Sequence, residues 1–185
     1  TLELNNALRM LFDGVSIEPQ TIDRNGRTGP FVINTMGNID KEQVKDFRLI
    51  AEEMSELARE HVDQLMPCAS DNPSPSQDCI DLFLQDFVGK AFRRPLDQDD
   101  LKGLRQLYKA GEETGGVTQG VQYVVEATLQ APSFIYIHED ASQGARRLSD
   151  FEIAQRMATL LWRSIPDHEL IEAASQGQLQ DPAER

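Results

Sequence analysis

Apolar residues recur every three or four positions along most of the chain, which is the spacing of one buried helix face. The first such segment is a short helix that carries Leu4 and Leu8 on its apolar face and ends at Gly14. The pattern then stops over residues 15–39, where five prolines and glycines predict a long irregular loop. The chain is therefore expected to open with one short helix and a long N-terminal loop.

The most regular apolar spacing follows this loop. Asp40 is a candidate N-cap with Gln43 three residues later, and Pro67 is expected to end the helix. The apolar face is a heptad-like series in steps of three and four, formed by Val44, Phe47, Ala51, Met54, Ala58, His61 and Leu65.

Three further helices are predicted in the middle of the chain. The first begins after Cys79, is strongly apolar and is stopped by Pro95; the second is capped by Asp97 and ends at Gly111. A glycine-rich link over residues 115–120 leads to the third helix. Pro132 breaks that helix.

The last part of the chain continues the helical pattern after a short extended or terminal segment at residues 134–137. Ser149 and Glu152 form a capping box, and a further short helix begins at Asp167 and ends at Gly177. With about seven helical segments and no convincing strand, the predicted fold is all-α, an irregular helical bundle.

Cys68 and Cys79 are the two cysteines of the chain, and they bracket a loop rich in proline, serine and aspartate. Their spacing differs from a CxxC motif, which argues against a zinc knuckle or a thioredoxin-like site. It suits a disulfide that closes a loop between two helices, and such a bond indicates an oxidising compartment. Two unpaired buried thiols are the alternative.

Composition adds a strongly acidic character, with 31 acidic residues against 18 basic ones and a formal charge of −13. The acids occur along the whole chain, so we expect them to solvate helix surfaces; an acidic docking face for a basic partner is the alternative. Clustered lysines and arginines bind nucleic-acid phosphates, so no nucleic-acid partner is expected. No apolar run approaches the ~20 residues of a membrane span, so no membrane-spanning helix is expected.

The chain lacks the motifs that would name a reaction. It has no CxxCH for covalent haem, no HExxH, no GxSxG and no glycine-rich phosphate loop. The three histidines lie in different segments, so no metal or cofactor site is predicted. His61 has no second ligand one turn away, which favours a packing role over metal or haem ligation.

Arg93 and Arg94 form a local basic spot in an acidic chain, and two interpretations of it stay open. Guanidinium groups bind carboxylates or phosphates through paired hydrogen bonds, which would make the pair a ligand clamp. Alternatively, the two cations offset the dipole at a helix C-terminus and pair with Asp97 or Asp100.

Trp162 follows an apolar helix face that includes Leu160 and Leu161. Beside Arg163, it is a candidate platform for stacking a sugar or a cation. A single tryptophan at the end of an apolar face is, however, more often part of the core, and this is the interpretation we favour.

Three runs of sequence resemble known domains. Residues 79–139, with Phe-Arg-Arg-Pro-Leu at 92–96 and Leu-Gln-Ala-Pro-Ser-Phe-Ile-Tyr at 129–136, resemble one of the helical domains of unknown function in large planctomycete-type secreted proteins. The run from Arg147 to Asp167, closing with Gly-Gln-Leu at 177–179, is similar to the opening of the domain that follows in those proteins. The first segment, with Leu4 and the helix to Ala58, is similar to the preceding domain.

The resemblance implies an exported bacterial protein with a cytochrome-c-like haem domain, and sometimes carbohydrate-binding modules, elsewhere in the polypeptide. It supplies no catalytic residues and no known reaction. The implied organisation is an N-terminal helical segment at 1–67, a central helical domain at 68–147 and the truncated start of a further domain at 148–185. On this basis the chain is expected to be the leading portion of a longer protein.

Three functions follow as hypotheses. The first is a non-catalytic scaffold or interaction module of a larger periplasmic or extracellular protein, in contact with other domains of that polypeptide or with a protein partner. The second is part of a haem-linked oxidoreductase acting on polysaccharide or another polymer, with Arg93, Arg94 and Trp162 in its substrate cleft. The third is an acidic subunit of a large extracytoplasmic assembly.

Overall fold

The structure is a computed structural model that describes residues 2–22, 41–70, 72–137 and 146–181. Within these ranges the chain is helical and has no strand, which confirms the all-α prediction. The α-helices are α1 (Leu2–Leu11), α2 (Lys41–Glu60), α3 (Val62–Leu65), α4 (Gln77–Phe83), α5 (Gly89–Phe92), α6 (Gln98–Gln130), α7 (Pro132–Ile135), α8 (Asp150–Leu161) and α9 (His168–Ser175). A π-helix over Leu84–Val88 joins α4 to α5, and 3-10 turns cover Pro67–Ala69 and Gln178–Gln180.

Side-chain caps begin three of these helices at the predicted positions. Asp97 accepts a bond from the Asp100 amide at 2.8 Å, and the Asp100 carboxylate accepts one from the Asp97 amide at 3.0 Å. Ser149 and Glu152 close a second capping box at the start of α8. The Asp167 side chain accepts from the amide three residues later and caps α9. Each cap satisfies amides that the first turn of a helix leaves unpaired.

The loop that follows α1 folds back onto that helix before the described range ends. Asn5 donates to the Gln20 carbonyl and accepts from the Gln20 amide, both at 2.7 Å. The Gln20 side chain donates to Glu53 of α2 at 2.9 Å, so the loop ties the first two helices together. The rest of the predicted loop, residues 23–39, and the predicted cap Asp40 lie outside the described residues.

Helix α6 is a hairpin of two helical halves that reverses at Gly115 and Gly116, whose backbones leave the helical region. Gly116 has φ +75°, which favours glycine. The prediction that the helix ends at Gly111 is wrong. Gly111 lies inside the first half, where a Cβ would come 2.5 Å from the Gln119 carbonyl oxygen. The absence of a side chain at Gly111 therefore allows the two halves to approach each other closely.

The main core forms around α2, the α4–α5 run and the α6 hairpin. The apolar face predicted after Cys79 is confirmed, since six of its members are buried: Ile80, Phe83, Leu84, Phe87, Val88 and Ala91. On α2 the fully buried small side chains Ala51, Ser55 and Ala58 lie along the helix that packs most extensively against α6. Val44, predicted to be on this face, is exposed because the described neighbours cover α2 only from Phe47 onward.

The predicted disulfide is confirmed, with Cys68 and Cys79 bonded at an S–S distance of 2.02 Å. Cys68 lies in the 3-10 turn Pro67–Ala69, and Cys79 lies in the first turn of α4. Ser76 caps α4 by accepting from the Cys79 amide at 3.3 Å. The bond therefore closes the loop between the α2–α3 segment and the next helix.

A second, smaller core lies between α8, α9 and the last 3-10 turn, and it contains Ile153, Ala154, Ala174 and Leu179. The link after α8 connects this core to the rest of the molecule. Asn6 of α1 donates to the carbonyls of Trp162 and Arg163 at 3.2 and 3.1 Å, and Ile165 is buried in the main core.

Residues 132–137 differ from the sequence prediction. They start as the short helix α7, with Pro132 in its first turn, and become extended at Tyr136. Only the last part of this segment is therefore extended. Pro132 ends the preceding helix, but proline also fits the first turn of a new helix, here α7. Over the described ranges, no helix is both long enough and apolar enough to cross a membrane.

Candidate functional site

The Arg93–Arg94 pair sits at a sharp corner where α5 ends. The Arg93 amide bonds to the Lys90 carbonyl at 3.1 Å and the Arg94 amide to the Gly89 carbonyl at 3.2 Å. These are the two bonds of a Schellman motif, and Arg93 occupies its left-handed position with φ +61°. Glycine is the usual residue there, and an arginine in this conformation costs about 1–2 kcal/mol.

The Arg93 side chain turns inward and offsets that cost. Its two Nη atoms donate to the carbonyls of Ser133 and Phe134, each at 2.8 Å, and its guanidinium lies 5.8 Å from the centre of the Phe134 ring. Burial lowers the pKa of Arg93 to about 10, so the group stays charged at neutral pH. Arg93 therefore stabilises the end of α7, a contact that the sequence did not indicate.

Arg94 turns outward and pairs with Asp100, one of the two partners proposed from the sequence. Its Nη atoms lie 2.6 and 3.3 Å from the two carboxylate oxygens, a bidentate arrangement. The hydrogen bonds from Arg94 lower the pKa of Asp100, and those to Asp100 raise the pKa of Arg94. The backbone at this corner thus directs the side chains of two adjacent arginines to opposite sides.

Arg94 lines a surface groove of about 500 Å³, called here the Arg94 groove. One wall runs from Leu82 of α4 through the π-helix to Leu96, and the other comes from α9. Its residues are Leu82, Gln85, Asp86, Gly89, Lys90, Arg94, Pro95, Leu96, His168 and Ile171. A π-helix widens the backbone spacing and is frequent at functional sites, which supports the choice of this groove as the candidate site.

The groove is lined both by apolar side chains, one of them exposed, and by paired charges. Leu82 is 64% exposed, although it is a large aliphatic side chain. Lys90 lies 2.7 Å from Asp86 one turn earlier on the same run. His168 is exposed and lies 3.9 Å from Glu172, too far for a hydrogen bond. Lys90 and Arg94 are therefore paired with carboxylates of the same chain, whereas the apolar Leu82 stays exposed.

Trp162 lies elsewhere, at the C-terminal end of α8, and lines neither the groove nor the corner. It is 37% exposed, and its indole nitrogen donates to the Ile165 carbonyl at 3.3 Å. The favoured interpretation of Trp162 as a core residue is thus wrong. The preceding Leu160, predicted to be on the apolar face, is 82% exposed, because the small core covers only the earlier turns of α8.

His61 lies at the junction of α2 and α3 and is partly buried. Its carbonyl accepts bonds from the amides of Gln64 and Leu65, so its backbone shapes the turn between the two helices. Across the described ranges, no three histidine, cysteine or acidic side chains come together as a metal site. His61 does not line the Arg94 groove.

The structure thus separates the candidates that the sequence singled out. Arg94 lines the groove, Arg93 supports α7, and Trp162 and His61 lie at other places in the fold. The sequence did not point to Lys90 and His168 as one site, because nothing in the local pattern shows that α5 and α9 line the same groove. The π-helix also has no sequence signature that distinguishes it from the surrounding α-helical spacing.

Comparison with known families gives two matches. Residues 79–139 match the model of PSD5, described as a protein of unknown function (DUF1595), and residues 148–185 match that of PSD4, also of unknown function (DUF1592). The predicted tandem of domains of unknown function is thereby confirmed for these segments. No curated protein and no solved structure matches the chain. The Arg94 groove takes its residues from both matched segments.

Proposed function

We propose that this chain is a non-catalytic helical scaffold and interaction module of a larger exported protein, and that the Arg94 groove is its docking surface for a protein segment. The observation that supports this function is the exposed Leu82, which lines the groove together with Pro95, Leu96, Ile171 and several charged side chains. An apolar centre with a polar rim is the usual anatomy of a protein interface.

The charged groups of the groove support binding more than proton transfer. Lys90 and Arg94 are each paired with a carboxylate of the same chain. A guanidinium remains protonated across the physiological range and serves as a positioning group. His168 lies 3.9 Å from Glu172, so the two side chains form no hydrogen bond.

A photocrosslinking side chain at position 82 tests the docking role in the native protein. We expect one defined crosslink, found by mass spectrometry of the digest, that joins position 82 to a peptide of the longer polypeptide or of a partner. The same side chain at Leu160, which is exposed outside the groove, is the matched control and should give no such adduct. Adducts from position 160 and none from position 82 would overturn the assignment.

The location belongs to the same proposal. The Cys68–Cys79 disulfide is compatible with a periplasmic or extracellular protein, since such bonds persist in oxidising compartments. The planctomycete-type origin and the association with a cytochrome-c-like domain, both implied by the sequence resemblance, are part of what we propose. A native mass well above 20.8 kDa and a Soret band would support them.

Purification at two salt concentrations tests which surface makes the contact. Binding through an apolar groove centre persists as salt rises, whereas contacts between exposed charges are screened over about 10 Å at 0.1 M salt. A partner that dissociates with salt would indicate that the acidic surface, with its net charge of −13, makes the contact. Stoichiometric haem, metal or turnover in the 185-residue chain itself would overturn the scaffold role.

A further inference from the structure

A second exposed surface, called here the Trp162 patch, lies at the C-terminal end of α8. Three consecutive apolar residues are exposed there: Leu160 by 82%, Leu161 by 65% and Trp162 by 37%. Two exposed arginines, Arg9 and Arg163, complete the patch. None of these five residues lines the Arg94 groove, so the patch is a separate surface.

Helix α1 brings Arg9 to the end of α8. Asn6 donates to the carbonyls of Trp162 and Arg163 at 3.2 and 3.1 Å. Arg9 lies one turn further along the same face of α1 and donates to Asn6 Oδ1 at 3.5 Å. The indole nitrogen of Trp162 donates to the Ile165 carbonyl, which holds the ring in place. The patch is therefore a preformed apolar surface with two cations beside it.

Neither arginine forms an ion pair with a carboxylate in the ranges that the structure describes. The chain has 31 acidic residues and 18 basic ones, so acidic partners for these two cations are plentiful. Arg163 also has φ +52°, a left-handed backbone that favours glycine. At Arg93 the side chain compensates for such a backbone through its bonds to two carbonyls, whereas the carbonyl of Arg163, not its guanidinium, makes the contact with Asn6. Both cations are thus available to an external anion.

We infer that the Trp162 patch docks the chain onto the surface of an anionic phospholipid membrane. Leu160 and Leu161 enter the boundary of the acyl chains, Trp162 lies at the level of the headgroups, and the two arginines bind lipid phosphates. The positive charge of the arginines complements the negative charge of the headgroups. The other surfaces carry the net charge of −13 and are repelled by the same lipids, which orients the chain with this end toward the membrane.

The arrangement of the leucines favours a membrane over a protein segment as the occupant. Consecutive residues of a helix point about 100° apart, so Leu160 and Leu161 spread around the end of α8. They form no single stripe that a partner helix could match with residues three and four positions apart. A fluid bilayer accepts such a projecting end without a matching shape.

Trp162 is the single tryptophan of the chain, so its fluorescence reports on this patch alone. The test adds phosphatidylcholine vesicles, with and without phosphatidylglycerol, to the chain in about 0.1 M salt, which screens the more distant acids. We expect a blue shift of the emission and flotation with the vesicles, with tighter binding when phosphatidylglycerol is present. Arg9→Gln and Arg163→Gln should each weaken binding to the anionic vesicles about fivefold, the effect of one cation near a charged bilayer.

Two further variants locate the contact. Leu160→Ser combined with Leu161→Ser should weaken binding to both kinds of vesicle at least about tenfold, because both apolar side chains are lost from the bilayer. Leu49→Ser, the matched control, changes a leucine that is 45% exposed on α2 and should leave binding unchanged.

Three results would overturn the inference. They are the absence of a blue shift with either vesicle, equal binding of the wild type to both vesicles, and wild-type binding by the protein with both serines. A crosslink from position 160 to a peptide in the native protein would assign the patch to a protein partner and overturn the membrane assignment. The wild-type comparison of the two vesicles decides even if the variant with both serines does not fold.

Discussion

The α6 hairpin allows a sharp test of packing, because two of its glycines have opposite surroundings. A Cβ at Gly111 would lie 2.5 Å from the Gln119 carbonyl oxygen and 2.9 Å from the Gly120 Cα. A Cβ at Gly103, on the exposed side of the same helix, would meet no atom within 4 Å. Gly111→Ala and Gly103→Ala are therefore the same chemical change in a crowded and an open place.

The expected magnitudes follow from these distances. Restoring an ordinary contact of at least 3.4 Å at Gly111 requires the two halves of α6 to separate by about 0.9 Å. Such overpacking costs typically 1–3 kcal/mol or more, and the contact here is with backbone that cannot rotate away. Alanine is favoured over glycine in a helix by about 1 kcal/mol, which offsets part of the cost.

We therefore expect Gly111→Ala to lower the free energy of unfolding by about 2 kcal/mol, and Gly103→Ala to raise it by about 0.5–1 kcal/mol. At about 2–4 °C per kcal/mol for a chain of this size, Gly111→Ala lowers the melting temperature by roughly 4–8 °C. Urea unfolding of the oxidised protein, followed by far-ultraviolet circular dichroism, measures both. If Gly111→Ala is as stable as Gly103→Ala, the close approach of the two halves is refuted.

Further changes test individual contacts. Tyr108→Phe removes a buried hydroxyl with no partner in the described ranges, so it should raise the unfolding free energy by about 1 kcal/mol in the same urea assay. A lower unfolding free energy would show that the hydroxyl is paired. Replacing Cys68 and Cys79 by serine should cost roughly 3 kcal/mol, and an unchanged midpoint would contradict the loop-closure argument. Arg94 lowers the pKa of Asp100 in the folded protein, so this pair stabilises the fold above about pH 4 and loses its effect as the pH falls through the folded pKa. The stability difference between wild type and Arg94→Gln should therefore shrink in acid, and a difference that is constant from pH 7 to pH 3 would refute the pair's role.

The local signals of the sequence were accurate where neighbouring residues determine the outcome. Asp97, Ser149 and Asp167 cap their helices as predicted, because a cap requires only a short side chain and the amides two or three positions later. The Cys68–Cys79 bond was predictable for the same reason, since it closes a short loop. These features depend on sequence distance and hardly on the rest of the fold.

The candidate site was less predictable, because burial depends on which elements meet in space. Trp162 and Leu160 continue an apolar face and are nevertheless exposed, since the small core covers only the earlier turns of α8. Gln155 lies on the same helix among apolar neighbours and is buried. A polar residue within an apolar face was the one local signal that could have drawn attention to it.

By itself, the sequence determined the all-α class, the starts of the helices capped by Asp97, Ser149 and Asp167, the disulfide and the acidic composition, because each depends on side-chain type and short spacing. Only the tertiary structure decided the roles of Arg93 and Arg94, which are chemically identical neighbours. A left-handed backbone at Arg93 directs one guanidinium to the carbonyls of α7 and the other to Asp100 and the groove. Their difference arises from helices that are distant in sequence and meet only when the chain folds.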